Sequence, residues 1–412
     1  MKLLVVTQYF WPETFMINEL VSTLRDQGHE VVVATGKPNY PSGRVFDGYQ
    51  AEGTQREIFD RDIPVVRVPL RPRGTGGLGL FLNYLSFAWS GAVRFPGLLT
   101  AFQPDAILMY APSPILGAIA AIPLKWIKRA HLAVWVQDLW PESLSATGYI
   151  TNRFSLGLVS VLVRAIYACT DSLLVQSHAF VEPVARLARR DKIIYYPNST
   201  RALPATSDDA VIPAELRRLL DSHFCVVFGG NLGSVQAVPT MVEAARLLRD
   251  LPDVRIVLVG DGSMSPWIRQ QMQAGELENL VTIDRQPSSV MPAIYHRSGA
   301  LLVALKDDDV LSYTVPSKVQ IYLAAGRPII AALRGEGARL VLESGAGVAC
   351  PAEDPAALAA CVRDVYHRSV AERTKMGAAG ARYFSEHFDM ESQATRLTTI
   401  LTERVRGDRR QH

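Results

Sequence analysis

The chain has 412 residues, 48% of them hydrophobic and 20% charged, which suits two domains with separate cores better than one. Its 43 basic and 40 acidic side chains leave a net charge of +3, without the basic excess of a dedicated nucleic-acid binder. Cys169, Cys225, Cys350 and Cys361 lie far apart, with no CxxC or Cys/His grouping, a pattern that favours reduced cytosolic thiols over a zinc site.

The opening MKLLVVTQYFWPE carries one lysine and a short apolar run without a small-residue cleavage site. It reads as a first buried strand rather than a signal peptide. Continuous apolar strands alternating with amphipathic helices predict parallel sheets covered on both faces. Strand Leu3–Thr7 leads to a helix over Asn18–Gln27, and Gly28-His29 turns into strand Glu30–Ala34. Further strands are expected at Val65–Val68, Ala106–Tyr110, His131–Gln137 and Ser172–Gln176. This first half is Rossmann-like without the dinucleotide fingerprint. In the loop after the first strand, Trp11, Glu13 and Asn18 fall where a ligand would approach; its aromatics suit sugar stacking and core packing alike.

Two readings stand for Arg71–Leu99, which mixes Arg71, Arg73 and Arg94 with Leu, Phe, Tyr and Trp: an element lying on an anionic bilayer surface, or a buried helix pair with snorkelling arginines. The apolar stretch Pro112–Trp126 ends at Lys125, Lys128 and Arg129, short of the roughly 18 residues a spanning helix needs. In VWVQDLWPESL the strand delivers Gln137 and Asp138 into a loop beside Trp140 and Pro141. A carboxylate there suits binding a sugar hydroxyl or accepting its proton, and equally a turn or helix cap.

A polar, proline-containing stretch over Asn198–Pro213 marks the expected linker. The rhythm then restarts: strand Cys225–Gly229, helix Val238–Arg249, strand Ile256–Val259, helix Met264–Ala274, strand Val281–Asp284, helix Val290–His296, strand Ala300–Leu305, helix Val319–Ala325 and strand Pro328–Ala332. The fold class expected is α/β, two Rossmann-like domains facing across a cleft, with ligands at strand C-termini. Domain 1–203 is followed by 204–385, and 386–412, with a helix over Met390–Val405, returns to the first half.

Two glycine-rich turns open helices in the second half. FGGNLG contains Gly230, Asn231, Leu232 and Gly233, with Gln236 following, and VGDG contains Gly260, Asp261 and Gly262. Both allow close approach of amides to an anion, and both are also ordinary tight turns. VPSKVQIYLAAG combines Pro316 at a helix start, Ser317 in its first turn and the cation of Lys318, a pyrophosphate clamp or a capped surface helix. Asp307–Asp309 has no partner ligand in sequence and reads as solvent-facing rather than metal-binding.

The ordered set QYFWPE, GHEVVVATGKPNYPSG, QDLWPES, GGNLG, VGDG and VPSKVQIYLAAGRPI resembles family-4 glycosyltransferases of the GT-B type over almost the whole chain. It is most similar to a bacterial subgroup of O-antigen, capsule and colanic-acid assembly that includes fucosaminyltransferase-like members. The resemblance implies a retaining enzyme (EC 2.4) moving a sugar, such as N-acetylfucosamine, from a UDP-sugar to a polyprenyl-diphosphate-linked glycan. It implies no metal, no cofactor beyond the donor substrate, no nucleic acid, and a cytoplasmic location, peripheral on the inner face of the membrane.

By resemblance, the catalytic pair is Asp138 and Lys318. Donor contacts fall to the two glycine turns, Gln236, Arg285, Pro316, Ser317, Lys318 and Gln320, and acceptor contacts to Trp11, Glu13, Asn18, Gln137 and Asp138. The sequence departs from the family at the Arg/Lys pair of the first C-terminal turn, where Asn231 and Gln236 stand. It departs again at the paired glutamates, where Tyr313 and Ile321 stand. The phosphate duty therefore moves to Ser317, Lys318 and the amides of Gly230 to Gly233. A UDP-sugar 2-epimerase of the same architecture and an inactive nucleotide-sugar-binding subunit are the rival expectations.

Overall fold

Fully buried apolar runs build the centre of each sheet, because a strand covered on both faces has no polar side to show. The computed structural model describes residues 1–411 except 75, 147, 149, 151, 204–211 and 276. Half of the expected linker, residues 204–211, and with it the boundary at 204, lies outside the described residues. By its internal contacts the chain divides into Met1–Arg201 with Met390–His412, and Ala202–Asp389.

The first unit holds β1 (Lys2–Thr7), β2 (Glu30–Gly36), β3 (Gln55–Phe59), β4 (Ile63–Val68), β5 (Ala106–Ala111), β6 (His131–Val136), β7 (Ser172–Val175) and β8 (Ile193–Tyr195). They form one sheet in the order β3-β4-β2-β1-β5-β6-β7-β8. The expectation of purely parallel pairing needs one correction: β3 pairs antiparallel with β4 at the sheet edge. The five-residue QREIF alternates between exposed and half-buried positions, too short and too polar a pattern to announce a strand. Its hairpin turn uses Asp60 and Arg61 at φ 38° and 62°.

One face of this sheet is covered by helix Met16–Asp26 and by helix Met390–Gln411. Met390, Ala394, Leu397 and Leu401 of the latter are buried with Leu3, Leu108 and Trp135. The Tyr196 hydroxyl donates to the Gln393 carbonyl at 3.0 Å. The opposite face carries the 23-residue helix Gly76–Leu98, which packs on β2 and β4. Neither sequence reading of Arg71–Leu99 describes it fully: it is one helix, buried through Asn83, Tyr84, Phe87 and Phe95, with an exposed apolar side.

The second unit holds β9 (Phe224–Gly229), β10 (Val254–Val259), β11 (Leu280–Ile283), β12 (Ala300–Ala304), β13 (Ile329–Ala332) and β14 (Gly347–Cys350). Their order is β11-β10-β9-β12-β13-β14, all parallel. Alternate residues feed two cores, Val227, Val257 and Leu301 on one face and Val226, Ile256 and Leu302 on the other, as the two-residue strand period requires. Strand order reverses beside β1 in the first unit and beside β9 in the second. Open α/β sheets bind ligands at such points, and each unit has a cavity there.

Candidate functional site

In the second unit the loops leaving β9 and β10 lie against each other. The Gly230 amide donates to the Val259 carbonyl at 2.8 Å, and the Leu232 amide to the Asp261 carbonyl at 3.0 Å. This contact has no room for side chains: a Cβ on Gly260, whose φ is +148°, would sit 1.9 Å from the Gly230 carbonyl oxygen, and one on Gly262 would sit 2.5 Å from that of Leu232. Beneath the turn, the Gly229 amide donates to the Tyr322 hydroxyl at 3.0 Å, and Tyr295 packs edge-on to Tyr322.

Beside these loops opens a cavity of about 470 Å³, lined by Gly230, Asn231, Gly260, Asp261, Gly262 and Arg285 among the expected donor residues. Gln286, Ser288, Met291 and Tyr295 also line it; no sequence signal marked them. Leu232 is a core residue, while Gly233, Gln236, Pro316, Ser317, Lys318 and Gln320 are not part of this lining. Gln320 is buried.

The expectation that the Gly230–Gly233 amides form a free anion nest requires revision. Gly230 and Leu232 donate to carbonyls, and the Gly233 amide donates to Gln236 Oε1 at 3.1 Å. Gln236 thus closes the turn. Asp261 likewise serves its own turn, accepting from the Gly262 amide at 2.8 Å; the Ser265 hydroxyl, and after it that amide, hold its carboxyl below the usual range.

The cation at this turn is Lys318. It sits in the first turn of helix Ser317–Ala325, which starts at Pro316 with no side-chain cap, so the positive end of the helix dipole and the ammonium belong to the same turn. Lys318 Nζ lies 3.6 Å from the Phe228 ring centroid, and a Cβ on Gly230 would be 3.3 Å from it. Burial pushes its pKa down to about 8. Tyr322 follows at i+4 on the same helical face, a spacing legible in SKVQIYL. Ile321, at one of the missing glutamate positions, packs against the core instead. Asp307 and Asp309 both pair with Arg334, and Asp308 caps helix Asp309–Tyr313, so this triplet is engaged in holding its own loop.

In the first unit Asp138 leaves β6 and accepts at one oxygen, Oδ2, from the Ser113 hydroxyl at 2.9 Å and from Trp140 Nε1 at 3.2 Å. Those two donors fix the carboxylate, and no donor among the described residues meets Oδ1. Asp138 lines a cavity of about 790 Å³ at the β1/β5 switch point, with Tyr9, Tyr84, Arg73 and Trp140. Of the expected acceptor residues, only Asp138 lines it. The Gln137 carbonyl accepts from Gln176 Nε2 at 2.7 Å, and its own buried Nε2 has no partner among the described residues.

Glu13 and Asn18 hold the loop rather than face the cavity. Glu13 is 3% exposed and accepts from the Phe10, Asn39 and Tyr40 amides at 3.1, 2.8 and 2.7 Å. Asn18 accepts from the Trp11 amide and donates to the Glu13 carbonyl, and Trp11 is 40% exposed.

Glu13→Ala orphans three backbone donors, two of them buried, and is expected to destabilise the first unit by about 2–4 kcal/mol. Burial pushes the Glu13 carboxyl up to about 6 despite the amides. A raised carboxyl favours the folded state below the unfolded value and loses that contribution as pH rises through 6, by about 2 kcal/mol. Chemical denaturation between pH 4 and 8 should show this slope in the native protein and not in the variant.

The comparisons agree with this architecture. Residues 14–199 match the model of a glycosyl transferase 4-like domain, and residues 223–368 match glycosyl transferases group 1. The putative colanic acid biosynthesis glycosyl transferase WcaI of Escherichia coli is 28% identical over 341 residues, covering 79% of this chain and 82% of that protein. The probable glycosyltransferase WbjE of Pseudomonas aeruginosa is 23% identical, covering 76% and 77%. Among solved structures, Anabaena HepE in complex with UDP has a TM-score of 0.70 at 14% identity, covering 98% of this chain and all of that one. Sucrose-phosphate synthase from Thermosynechococcus elongatus has a TM-score of 0.69 at 14% identity, covering 98% of each. With matched models spanning most of both units and the GT-B fold shared along the chain, this protein belongs to the family-4-like, group 1 glycosyltransferases.

Proposed function

We propose that the chain is a retaining transferase that moves a sugar from a UDP-sugar to a lipid-linked glycan in surface-polysaccharide synthesis. The observation that carries this reading is Lys318: a half-buried cation with no carboxylate partner among the described residues, at a helix start without a side-chain cap, against Gly230 of the turn that borders the second unit's cavity. A buried charge is costly unless an opposite charge joins it, and a diphosphate supplies that charge. Arg285, exposed on the cavity wall, adds a second cation. The UDP complex of HepE and the colanic-acid role in the name of WcaI support the donor and pathway class. An N-acetylated amino sugar is the donor group to test first.

In the proposed step the acceptor oxygen bonds to the anomeric carbon as the bond from that carbon to the diphosphate oxygen breaks. The acceptor's proton passes to the departing diphosphate on the same face. Lys318 and the helix dipole stabilise the charge that develops there, and Asp138, fixed by Ser113 and Trp140, orients the acceptor hydroxyl. The second unit is the donor half and the first the acceptor half, at the inner face of the cytoplasmic membrane. Among the described residues no helix is long and apolar enough to cross a membrane.

The test is a panel of UDP-sugars with a polyprenyl-diphosphate-linked glycan, products read by mass spectrometry. One donor should give product, and Asp138→Asn should keep UDP affinity while lowering kcat/KM for the acceptor by about 10²–10⁴-fold. No product with any donor overturns the reading.

A further inference from the structure

The first unit's cavity is mainly apolar where it meets helices Gly76–Leu98 and Arg153–Cys169: Leu78, Phe81, Val159 and Leu162 line it from the two sides. The same helices carry apolar stripes to the surface. On the first, Leu78, Phe81, Leu85, Trp89 and Val93 follow at steps of three and four and are 43–73% exposed; such steps keep to one helical face. On the second, Phe154, Leu158 and Val161 do the same at 64–82%. Contiguous exposed apolar surface of this kind marks an interaction site.

Charge identifies what covers it. From Arg71 to Thr170 there are eight Lys and Arg residues and only three acids, Asp105, Asp138 and Glu142. None of the three acids lies on either helix. Arg71, Arg94, Arg129, Arg153 and Arg164 are exposed, and none forms a salt bridge among the described residues. Apolar stripes on helices that also carry exposed Arg94, Arg153 and Arg164 and no acid match an anionic bilayer, with side chains among acyl chains and guanidinium groups at phosphates.

Among the described residues that line the cavity, the one cation is Arg73. Its side chain touches the Tyr9 hydroxyl at 3.5 Å and lies 5.2 Å from the Tyr40 ring centroid, with no carboxylate bound to it among the described residues. We infer that this cavity is a binding site for a lipid phosphate drawn from an anionic membrane, its hydrocarbon chain between the two helices and its phosphate on Arg73. The inference rests on the lipid-linked acceptor of the preceding section and deepens it. It places the lipid end of the acceptor next to Asp138, where the sugar would emerge.

The full-length protein is tested with two probes that need no turnover. In flotation, it should rise with vesicles of phosphatidylcholine and phosphatidylglycerol and stay behind with phosphatidylcholine alone, and the double variant Trp89→Asp, Phe154→Asp should lose flotation. In calorimetry, geranylgeranyl monophosphate should bind, geranylgeraniol should bind at least tenfold more weakly, and inorganic phosphate alone should not bind at the same concentrations. Arg73→Gln should lower affinity for the monophosphate at least tenfold and leave that for the alcohol unchanged.

UDP binding, measured on every sample, reports folding of the donor half. Melting temperature and far-UV circular dichroism report the first unit, and a variant that loses them is replaced by the milder Trp89→Ser, Phe154→Ser. Equal binding of phosphate and alcohol, an Arg73→Gln protein that binds like the native one, or flotation unaffected by the double variant overturns the inference while UDP binding stands. Lipid binding with UDP binding absent removes the transferase reading and leaves this site.

Discussion

Replacing Lys318 by methionine is expected to raise the melting temperature of the free protein while lowering its transfer rate by about 10²–10³-fold. The two effects share one cause. Unfolded lysine titrates near 10.5, whereas burial holds Lys318 at about 8, so the folded state resists charging. Its stabilising effect is present above the unfolded value and is lost as pH falls through 8. At neutral pH the free protein therefore carries a penalty on the order of 1–3 kcal/mol, which methionine removes.

A diphosphate compensates that penalty, so UDP affinity in the native protein should fall as pH rises through 8, and binding near pH 9 should take up a proton. Calorimetry in buffers of different ionisation heat reads that uptake, which should vanish in Lys318→Met. A variant that matches the native pH profile, or that leaves turnover intact, removes Lys318 from the donor site.

The second large effect concerns Gly260→Ala. The added methyl would lie 1.9 Å from the Gly230 carbonyl oxygen, a backbone atom that moves only if the whole β9 turn moves. Strain at φ +148° adds to this. A loss of about 3 kcal/mol or more in the second unit is expected, with UDP binding abolished because Gly230 and Lys318 separate. Gly275→Ala is the control: its φ is +91°, yet nothing lies within 4 Å of the new Cβ. It should cost only the backbone strain, about 1 kcal/mol, and keep UDP affinity. Equal melting temperatures for the two variants would contradict the packing argument.

The sheets were readable because buried parallel strands announce themselves as runs such as LLVV, AILMY and RIVLV, with little polar chemistry to obscure them. The β3–β4 hairpin was not, since QREIF has its strand character from pairing rather than from composition. The cations and glycines of the donor turn were legible by residue type, since few side chains substitute for Lys318 or Gly260 there. What the sequence does not reveal is where hydrogen bonds go. Glu13 and Gln236 have the right chemistry for a ligand, but their acceptors are already taken by amides that only the folded loops bring near. Arg73 escaped a specific role for the converse reason: it lies 65 residues from Asp138 in the chain and meets it only around one cavity.

The helix Met390–Gln411 has a consequence for how the molecule is made. It supplies Met390, Ala394, Leu397 and Leu401 to the first unit's core, yet it leaves the ribosome only after all of Ala202–Asp389. The first half must therefore wait, with the apolar flank of β1 and β6 unsealed, while the second half is synthesised and folds. A nascent chain in that state is the species most exposed to aggregation and most in need of a holding chaperone. Expression yield should thus depend more steeply on the last 23 residues than their small share of the mass suggests.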